Sequence, residues 1–230
     1  MIEELRWDTE LFGRKIGAIK KLPSSQGNLK RAIEDAKKNG FKYLLCKLKC
    51  EEWKEIGMLQ KTGFYLSDIG VIWEIDTFCV NIRTPHVHIA TGKDIIALKK
   101  MTKHLFRHSR FYHDPFFTKK EADCLFEAWI ENSVKGKEAD IVFWINGVGF
   151  ITCRKISSAK GMIPLIGVVD RMRGKGFGKT LVLAAIKWFR EKGIKKVQTR
   201  SQLTNIQATN FYSRIGFKVI MADIVLSKIL

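Results

Sequence analysis

The 230-residue sequence predicts an α/β protein with a mixed sheet. Three observations carry this. Helical and strand periodicities alternate through residues 28–76 and again through 163–226. A two-residue hairpin signal, Asn146-Gly147, sits inside the apolar run IVFWINGVGFITC. A glycine-rich turn, RMRGKGFGKT (171–180), joins a short apolar strand to a strongly amphipathic helix.

Asn28–Lys38 has helical spacing and stops at Gly40; Phe41–Leu48 reads as a strand, Glu51–Lys61 as a helix ended by Gly63, and Phe64–Ile75 as a strand. The polar break Asn81-Ile-Arg-Thr-Pro85 then predicts a boundary between an N-terminal α/β domain, 1–80, and a second domain, 86–230. The second opens with a strand, His86–Ala90. Two capping-box patterns follow, Thr91-Gly-Lys-Asp94 before the Ile95, Leu98, Met101, Leu105 face and Thr118-Lys-Lys-Glu121 before Ala122, Leu125, Phe126, Trp129 and Val134. After the hairpin comes Ile163–Val169, an almost wholly apolar strand whose Gly167 marks a bulge or a close ligand approach. Phe177–Lys192 is a helix closed by Gly193, Lys196–Arg200 a strand, and Phe217–Leu226 the last strand. Between these two strands Thr204-Asn-Ile-Gln207 caps a helix burying Ala208, Phe211, Tyr212 and Ile215.

Hydrophobic content of 46% with 11% aromatic residues supports a sizeable core. The formal charge of +18 raises nucleic acid, headgroups or a polyanionic ligand as partners, but the cations are spread along the chain, with the densest runs only pairs. Solvated faces plus one local anion site are therefore expected, without nucleic-acid or membrane binding. The five cysteines are scattered and show no zinc spacing, and Cys46 falls in an apolar run, so reduced thiols and a cytoplasmic location are expected. His86 and His88 alternate on a strand without a visible third ligand and are read as structural; no metal is expected.

Strand, glycine loop and helix in that order form an anion site, because N–H groups of the loop and first turn converge on the ligand and the helix dipole assists. A P-loop requires glycine where Arg173 stands, so the Gly178-Lys179-Thr180 ending does not make one. A dinucleotide fingerprint is one residue short at Gly174-Lys-Gly176-Phe-Gly178.

What remains is Arg173-x-x-Gly176-x-Gly178, followed by Asn205-x-x-Ala208-x-x-Phe211-Tyr212-x-x-x-Gly216-Phe217. In both motifs, their order and their spacing, residues 86–228 resemble the GNAT acetyltransferase superfamily, although Asp170-Arg171 stands where many members carry a proline. The resemblance implies a GNAT fold with a mixed, mostly antiparallel central sheet, here with a smaller N-terminal α/β domain. It implies acetyl-CoA as co-substrate, its pyrophosphate on Arg173, Gly174, Lys175, Gly176, Phe177, Gly178 and Lys179. Its pantetheine arm would lie against Gly167, Val168 and Val169, with Asn205 also in the cofactor set. It further implies direct attack of an amine on the thioester, with Tyr212 as the acid that protonates the leaving thiolate.

Leu5–Gly13, Leu59–Phe64, Ser109–Phe111 and Ala128–Asn132 resemble a narrower group, the TDP-fucosamine acetyltransferases, over nearly the whole chain. That resemblance implies a nucleotide-linked amino sugar as acceptor, acetylated on its 4-amino group. Arg110, Phe111 and Tyr112, on a loop between helices, are candidates for the sugar-nucleotide cleft, with a capped surface loop as the competing reading. Asp68 is a candidate to take the amine proton through water, with an ordinary solvated aspartate as its competitor, and His113 is another candidate base. A homodimer is compatible with this reading. The alternatives are a protein, polyamine or antibiotic amine as acceptor, or a nucleic-acid-binding module without catalysis.

Overall fold

A computed structural model describes residues 1–81, 86–103 and 105–230. By their contacts they fall into two compact units, Met1–Val71 with Ser109–Glu121 and Met221–Leu230, and Ile72–His108 with Ala122–Ile220. The break expected at Asn81–Pro85 lies, apart from Asn81, outside the described residues.

The first unit begins with three elements the sequence reading did not resolve: β1 (Ile2–Glu4), α1 (Arg6–Phe12) and β2 (Ile16–Ile19). They are followed by α2 (Gln26–Lys38), β3 (Tyr43–Lys49), α3 (Trp53–Lys61) and the start of β4 (Tyr65–Asp76). β1 is antiparallel to β2, β2 parallel to β3, and β3 antiparallel to the C-terminal strand β11 (Lys218–Ile229), with Leu45 opposite Ser227. Strand alternation gives β3 two different faces. Leu44, Cys46 and Leu48 point into a core with Leu29, Ile33 and Ala36 of α2 and Ile56 and Leu59 of α3. Tyr43 points the other way, onto Phe116 and Phe117 of the segment 109–121.

The second unit holds the remainder of β4 and β5 (His88–Ile89), then α4 (Ile95–Thr102) and α5 (Lys119–Val134, from Ala122 onward). These are followed by β6 (Ile141–Ile145), β7 (Gly149–Lys155), β8 (Lys160–Ile163) and β9 (Ile166–Val168). α6 (Phe177–Glu191), β10 (Lys196–Gln202) and α7 (Ile206–Ile215) complete it before β11. Both predicted capping boxes form, at Thr91/Asp94 and Thr118/Glu121. The hairpin at Asn146-Gly147 pairs Ile145 with Gly149, and Gly147 takes the positive φ of 67° that the turn needs. α4 ends at Thr102, so Leu105, predicted to share the helix face of Ile95, Leu98 and Met101, lies beyond the helix. Among the registered pairs, β2–β3 and β8–β10 are parallel and the others antiparallel.

The single strand expected at 163–169 is two strands. Pro164 has no N–H to donate, so a ladder cannot run through it. β8 pairs in parallel with β10 as far as Ile163 opposite Thr199, where that pairing stops. β9 instead pairs antiparallel with β7, Gly149 opposite Val168 and Ile151 opposite Ile166. Thr152 bridges the step, its Oγ1 accepting from Leu165 N at 2.9 Å while its own N–H donates to Leu165 O. Among the described residues β9 is thereby registered with β7, which also pairs with β8, while the β8–β10 ladder ends at Thr199.

Candidate active site

The glycine loop follows β9 directly. A single 3-10 turn, Asp170–Met172, leads to an extended Arg173, and Gly174 and Gly176 then take φ of 77° and 86°. Only glycine occupies that region readily, and a Cβ at either position would meet nothing within 4 Å, so both backbones face open space. Gly176 is the N-cap of α6 and offers no side chain to its first turn. The leading N–H groups of α6 lack intrahelical partners, as in any α-helix, and the dipole of a 15-residue helix adds positive potential there. Lys175 and Lys179 are exposed beside them.

Two of the predicted loop residues have packing partners. Arg173 is a clip: its Nε donates to Val168 O at 3.1 Å, its Nη1 to Gln207 Oε1 at 3.4 Å, and its Nη2 pairs with Asp170 at 2.9 Å. It thus ties the loop to β9 and α7. At Gly178 a Cβ would stand 2.9 Å from the Phe211 ring, so its missing side chain lets α6 and α7 pack closely. Phe177 is half-buried in the same first turn. At Gly167 a Cβ would come within 2.6 Å of Leu105 Cδ1, and at Gly149, across the ladder, within 2.4 Å of Gly167 O, so this stretch of strand is close-packed. Val169 donates its N–H to Val148 O.

Tyr212 lies on α7, whose N-cap is Asn205 rather than the predicted Thr204: Asn205 Oδ1 accepts from Ala208 N at 3.0 Å. The Tyr212 side chain is only 4% exposed, ringed by Trp73, Phe211 and Phe217 with centroids at 5.8, 5.3 and 5.3 Å. Trp73 is fixed by its Nε1 donating to Ser201 Oγ at 3.0 Å. Among the described residues, the hydrogen-bonding neighbour of the Tyr212 hydroxyl is Thr199 Oγ1 at 3.5 Å. Burial pushes the phenol up to about 12, against a smaller lowering by Thr199. Thr199 and Trp73 carried no sequence signal, since one is a polar residue in a strand and the other an apolar one.

The remaining candidates belong to the first unit. Asp68 is half-buried on β4, and alternation sets it on the opposite face from Tyr65 and Ser67. Arg110, Phe111 and Tyr112 form a 3-10 turn. Arg110 stacks its guanidinium over Phe111 at 4.2 Å and donates Nη1 to Tyr43 Oη at 3.1 Å. Its charge also faces Asp8, whose carboxyl burial nonetheless holds above the usual range. Phe111 packs on Phe12 and Phe117. Beneath them is a polar network the sequence did not reveal. Asp114, 4% exposed, accepts from Tyr43 Oη through Oδ2, and through Oδ1 from Tyr65 Oη at 2.8 Å and Phe116 N at 3.0 Å. Ser227 Oγ lies 2.7 Å from Tyr43 Oη and 2.7 Å from Ser67 Oγ. His113 is exposed. Among the described residues no group of three His, Cys, Asp or Glu side chains is arranged to hold a metal, and the five cysteines are free thiols, Cys46 buried in the core as expected.

A parallel strand pair that parts at its middle, a glycine turn feeding a long helix, and a buried tyrosine on the next helix define an acyltransferase architecture. A sequence model described as the acetyltransferase (GNAT) family matches residues 103–217, half of the chain, and the chain belongs to that family. Its fold is the GNAT fold, and the family uses acetyl-CoA as co-substrate. Among relatives, the chain is 26% identical over 225 residues to the dTDP-fucosamine acetyltransferase of Escherichia coli O6:H1, covering 95% of this chain and 93% of that one. It is 21% identical to the spore coat polysaccharide biosynthesis protein SpsD of Bacillus subtilis, covering 94% and 78%. A solved GCN5-related N-acetyltransferase from Sphaerobacter thermophilus has the same fold, with a TM-score of 0.65, 13% identity, and 99% and 76% of the two chains covered. No helix among the described residues is long and apolar enough to cross a membrane.

Proposed function

We propose that the protein N-acetylates the 4-amino group of a dTDP-linked 4-amino-4,6-dideoxy sugar with acetyl-CoA. The observation that carries this is the reach of the likeness to the dTDP-fucosamine acetyltransferase. It extends over 95% of the chain, whereas the family model stops at residues 103–217 and leaves most of the first unit unmatched. The second polysaccharide-related relative, at 94% coverage, supports the same substrate class.

Acetyl-CoA fits the residues present. Its pyrophosphate needs N–H donors and positive charge, which Gly174, Gly176, the first turn of α6, Lys175 and Lys179 offer around open left-handed glycines. Its amide-bearing pantetheine arm needs a strand edge, and among the described residues Ile166–Val168 is registered with β7 on one side. Arg173 holds this arrangement together through Val168 and Gln207, and Asn205 orients α7 through its cap.

In the reaction the amine nitrogen attacks the thioester carbonyl carbon, the C–S bond breaks, sulfur takes a proton and the new amide nitrogen loses one. An alkyl ammonium near 10.4 must first shed a proton at pH 7, a cost of roughly 4 kcal/mol. Asp68, on the first unit, accepts that proton through water, and Arg110, Phe111 and Tyr112 recognise the nucleotide sugar. Tyr212 donates to the leaving sulfur. With the phenol at about 12 it keeps its proton at every physiological pH. Complete transfer to a thiolate of ordinary pKa near 8.5 would run uphill by about 3.5 units, roughly 5 kcal/mol. The phenol therefore acts chiefly as a hydrogen-bond donor while charge grows on sulfur, and the released thiolate takes its proton from solvent, to which the amide nitrogen's proton is lost.

Thiol release from acetyl-CoA tests the reading, with dTDP-4-amino-4,6-dideoxy-D-galactose compared against a polyamine, a peptide amine and streptothricin. The nucleotide sugar is expected to give kcat/KM at least about 100-fold above the others. Release with one of the other amines and none with the sugar would reassign the acceptor and leave the family untouched.

A further inference from the structure

We propose that Thr199 is a positioning residue for Tyr212, a role that rests on the reading of Tyr212 as the donor to sulfur. The argument is a count of protons. A threonine hydroxyl has one proton and two acceptor sites. Thr199 Oγ1 lies 3.0 Å from Ile163 O, and a carbonyl oxygen can only accept, so the threonine proton is committed there. In the contact at 3.5 Å between Thr199 Oγ1 and Tyr212 Oη, the phenol is then the donor. Both residues are deeply buried, at 2% and 4% exposure.

The committed direction has two consequences. The phenol proton is aimed at the point on β10 where its pairing with β8 ends, Thr199 opposite Ile163. The bond holding it is also long, well beyond the 2.7–2.8 Å common for O–H···O. A buried hydroxyl so weakly satisfied is ready to turn to a better acceptor, and the sulfur on which charge develops is one. The backbone carbonyl of Ile163 thereby sets the polarity of the chain Tyr212 to Thr199 to Ile163, and Thr199 transmits it. Trp73, tied to Ser201, closes another side of the phenol.

Thr199→Val removes the hydroxyl at nearly constant volume, and Thr199→Ser keeps it. With acetyl-CoA and dTDP-4-amino-4,6-dideoxy-D-galactose, Thr199→Val is expected to lower kcat about fivefold to tenfold with the KM for acetyl-CoA within twofold, and Thr199→Ser to restore kcat. In the Tyr212→Phe background, adding Thr199→Val should cost nothing more. A wild-type kcat in Thr199→Val, or the same factor lost again on top of Tyr212→Phe, would overturn the role of Thr199 while leaving Tyr212 in place. Full activity in Tyr212→Phe alone would remove the Tyr212 reading and this one with it. If Thr199→Val melts below the assay temperature, Thr199→Ala serves the same comparison. A readout free of any acceptor is the ring 13Cζ resonance of Tyr212, assigned by its loss in Tyr212→Phe. It should move in Thr199→Val and return in Thr199→Ser, and an unmoved resonance contradicts the proposal.

Discussion

Tyr43 and Tyr212 are both buried phenols, 0% and 4% exposed, and the chain treats them in opposite ways. Tyr43, in the first unit, is saturated: its oxygen meets Asp114 Oδ2, Ser227 Oγ and Arg110 Nη1, and it stacks on Phe116 at 4.5 Å. Tyr212, in the second, has aromatic walls and a hydroxyl at 3.5 Å from Thr199. A buried hydroxyl that is fully satisfied contributes to stability, because removing it strands its partners. One that is barely satisfied contributes little to stability and remains available for chemistry. The difference separates a residue that holds a fold from one proposed to serve a reaction, although burial and ring packing look alike.

The sharpest way to break this comparison is Tyr212→Phe. Turnover is expected to fall about 10²–10³-fold, equivalent to about 3–4 kcal/mol of barrier. The Kd for acetyl-CoA by calorimetry should stay within about threefold, and the urea midpoint should hardly move because only a long hydrogen bond is lost. Large destabilisation with unchanged turnover would exchange the roles assigned to the two tyrosines.

High pH gives a second handle. For Tyr212, about 12 when folded against 10 when unfolded, the unfolded chain loses its proton first as pH rises. The sign is therefore unfavourable: the contribution is complete below pH 10 and vanishes as pH climbs through 12, about 2 units or roughly 3 kcal/mol in all. Burial raises Tyr43 as well, and it raises Cys46 from 9.0 to about 12, so both act in the same direction. Urea unfolding at a series of pH values should show stability declining above pH 9–10, less steeply in Tyr212→Phe. Equal slopes in the two proteins would mean that the Tyr212 phenol is not perturbed.

The second unit's site was more legible in the sequence than the first unit's network, for a physical reason. The glycine loop and the α6 helix after it are local patterns that spacing exposes, and the Asn205–Phe217 motif is a local run that stands out by its resemblance to the GNAT family. The strand break was present too, in Pro164, whose missing N–H forbids the ladder; an apolar run outweighed it in the reading. The α1 helix was not legible. It has seven residues, a leucine at the N-cap with no side-chain cap, and Phe12 as its buried residue, so it forms through packing rather than propensity. Tyr43 and Asp114 are 71 positions apart, and Tyr43 and Ser227 are 184 apart. No period links such residues; only the pairing of β3 with β11 and the return of the 109–121 segment bring them together. Thr199 is local to β10, but its meaning depends on which carbonyl takes its proton.

The smallest expected effect tests the saturated side. Tyr43→Phe keeps the ring on Phe116 and Phe117 and deletes one oxygen. Asp114 retains Tyr65 Oη and Phe116 N, so its charge is still held by two donors. Arg110 Nη1 and Ser227 Oγ lose a partner, and Ser227 keeps Ser67 Oγ. The loss is therefore that of a networked hydrogen bond with partial compensation, about 2 kcal/mol, rather than that of an orphaned buried charge. Urea denaturation should report it as a shifted midpoint at constant slope, with kcat per folded molecule near wild type. Because Arg110 is also the proposed contact for the acceptor, a KM for the nucleotide sugar that rises while that for acetyl-CoA stays fixed would show that the network also aims Arg110. A stability equal to wild type would mean that saturation of Tyr43 adds nothing, and the contrast with Tyr212 would then rest on function alone.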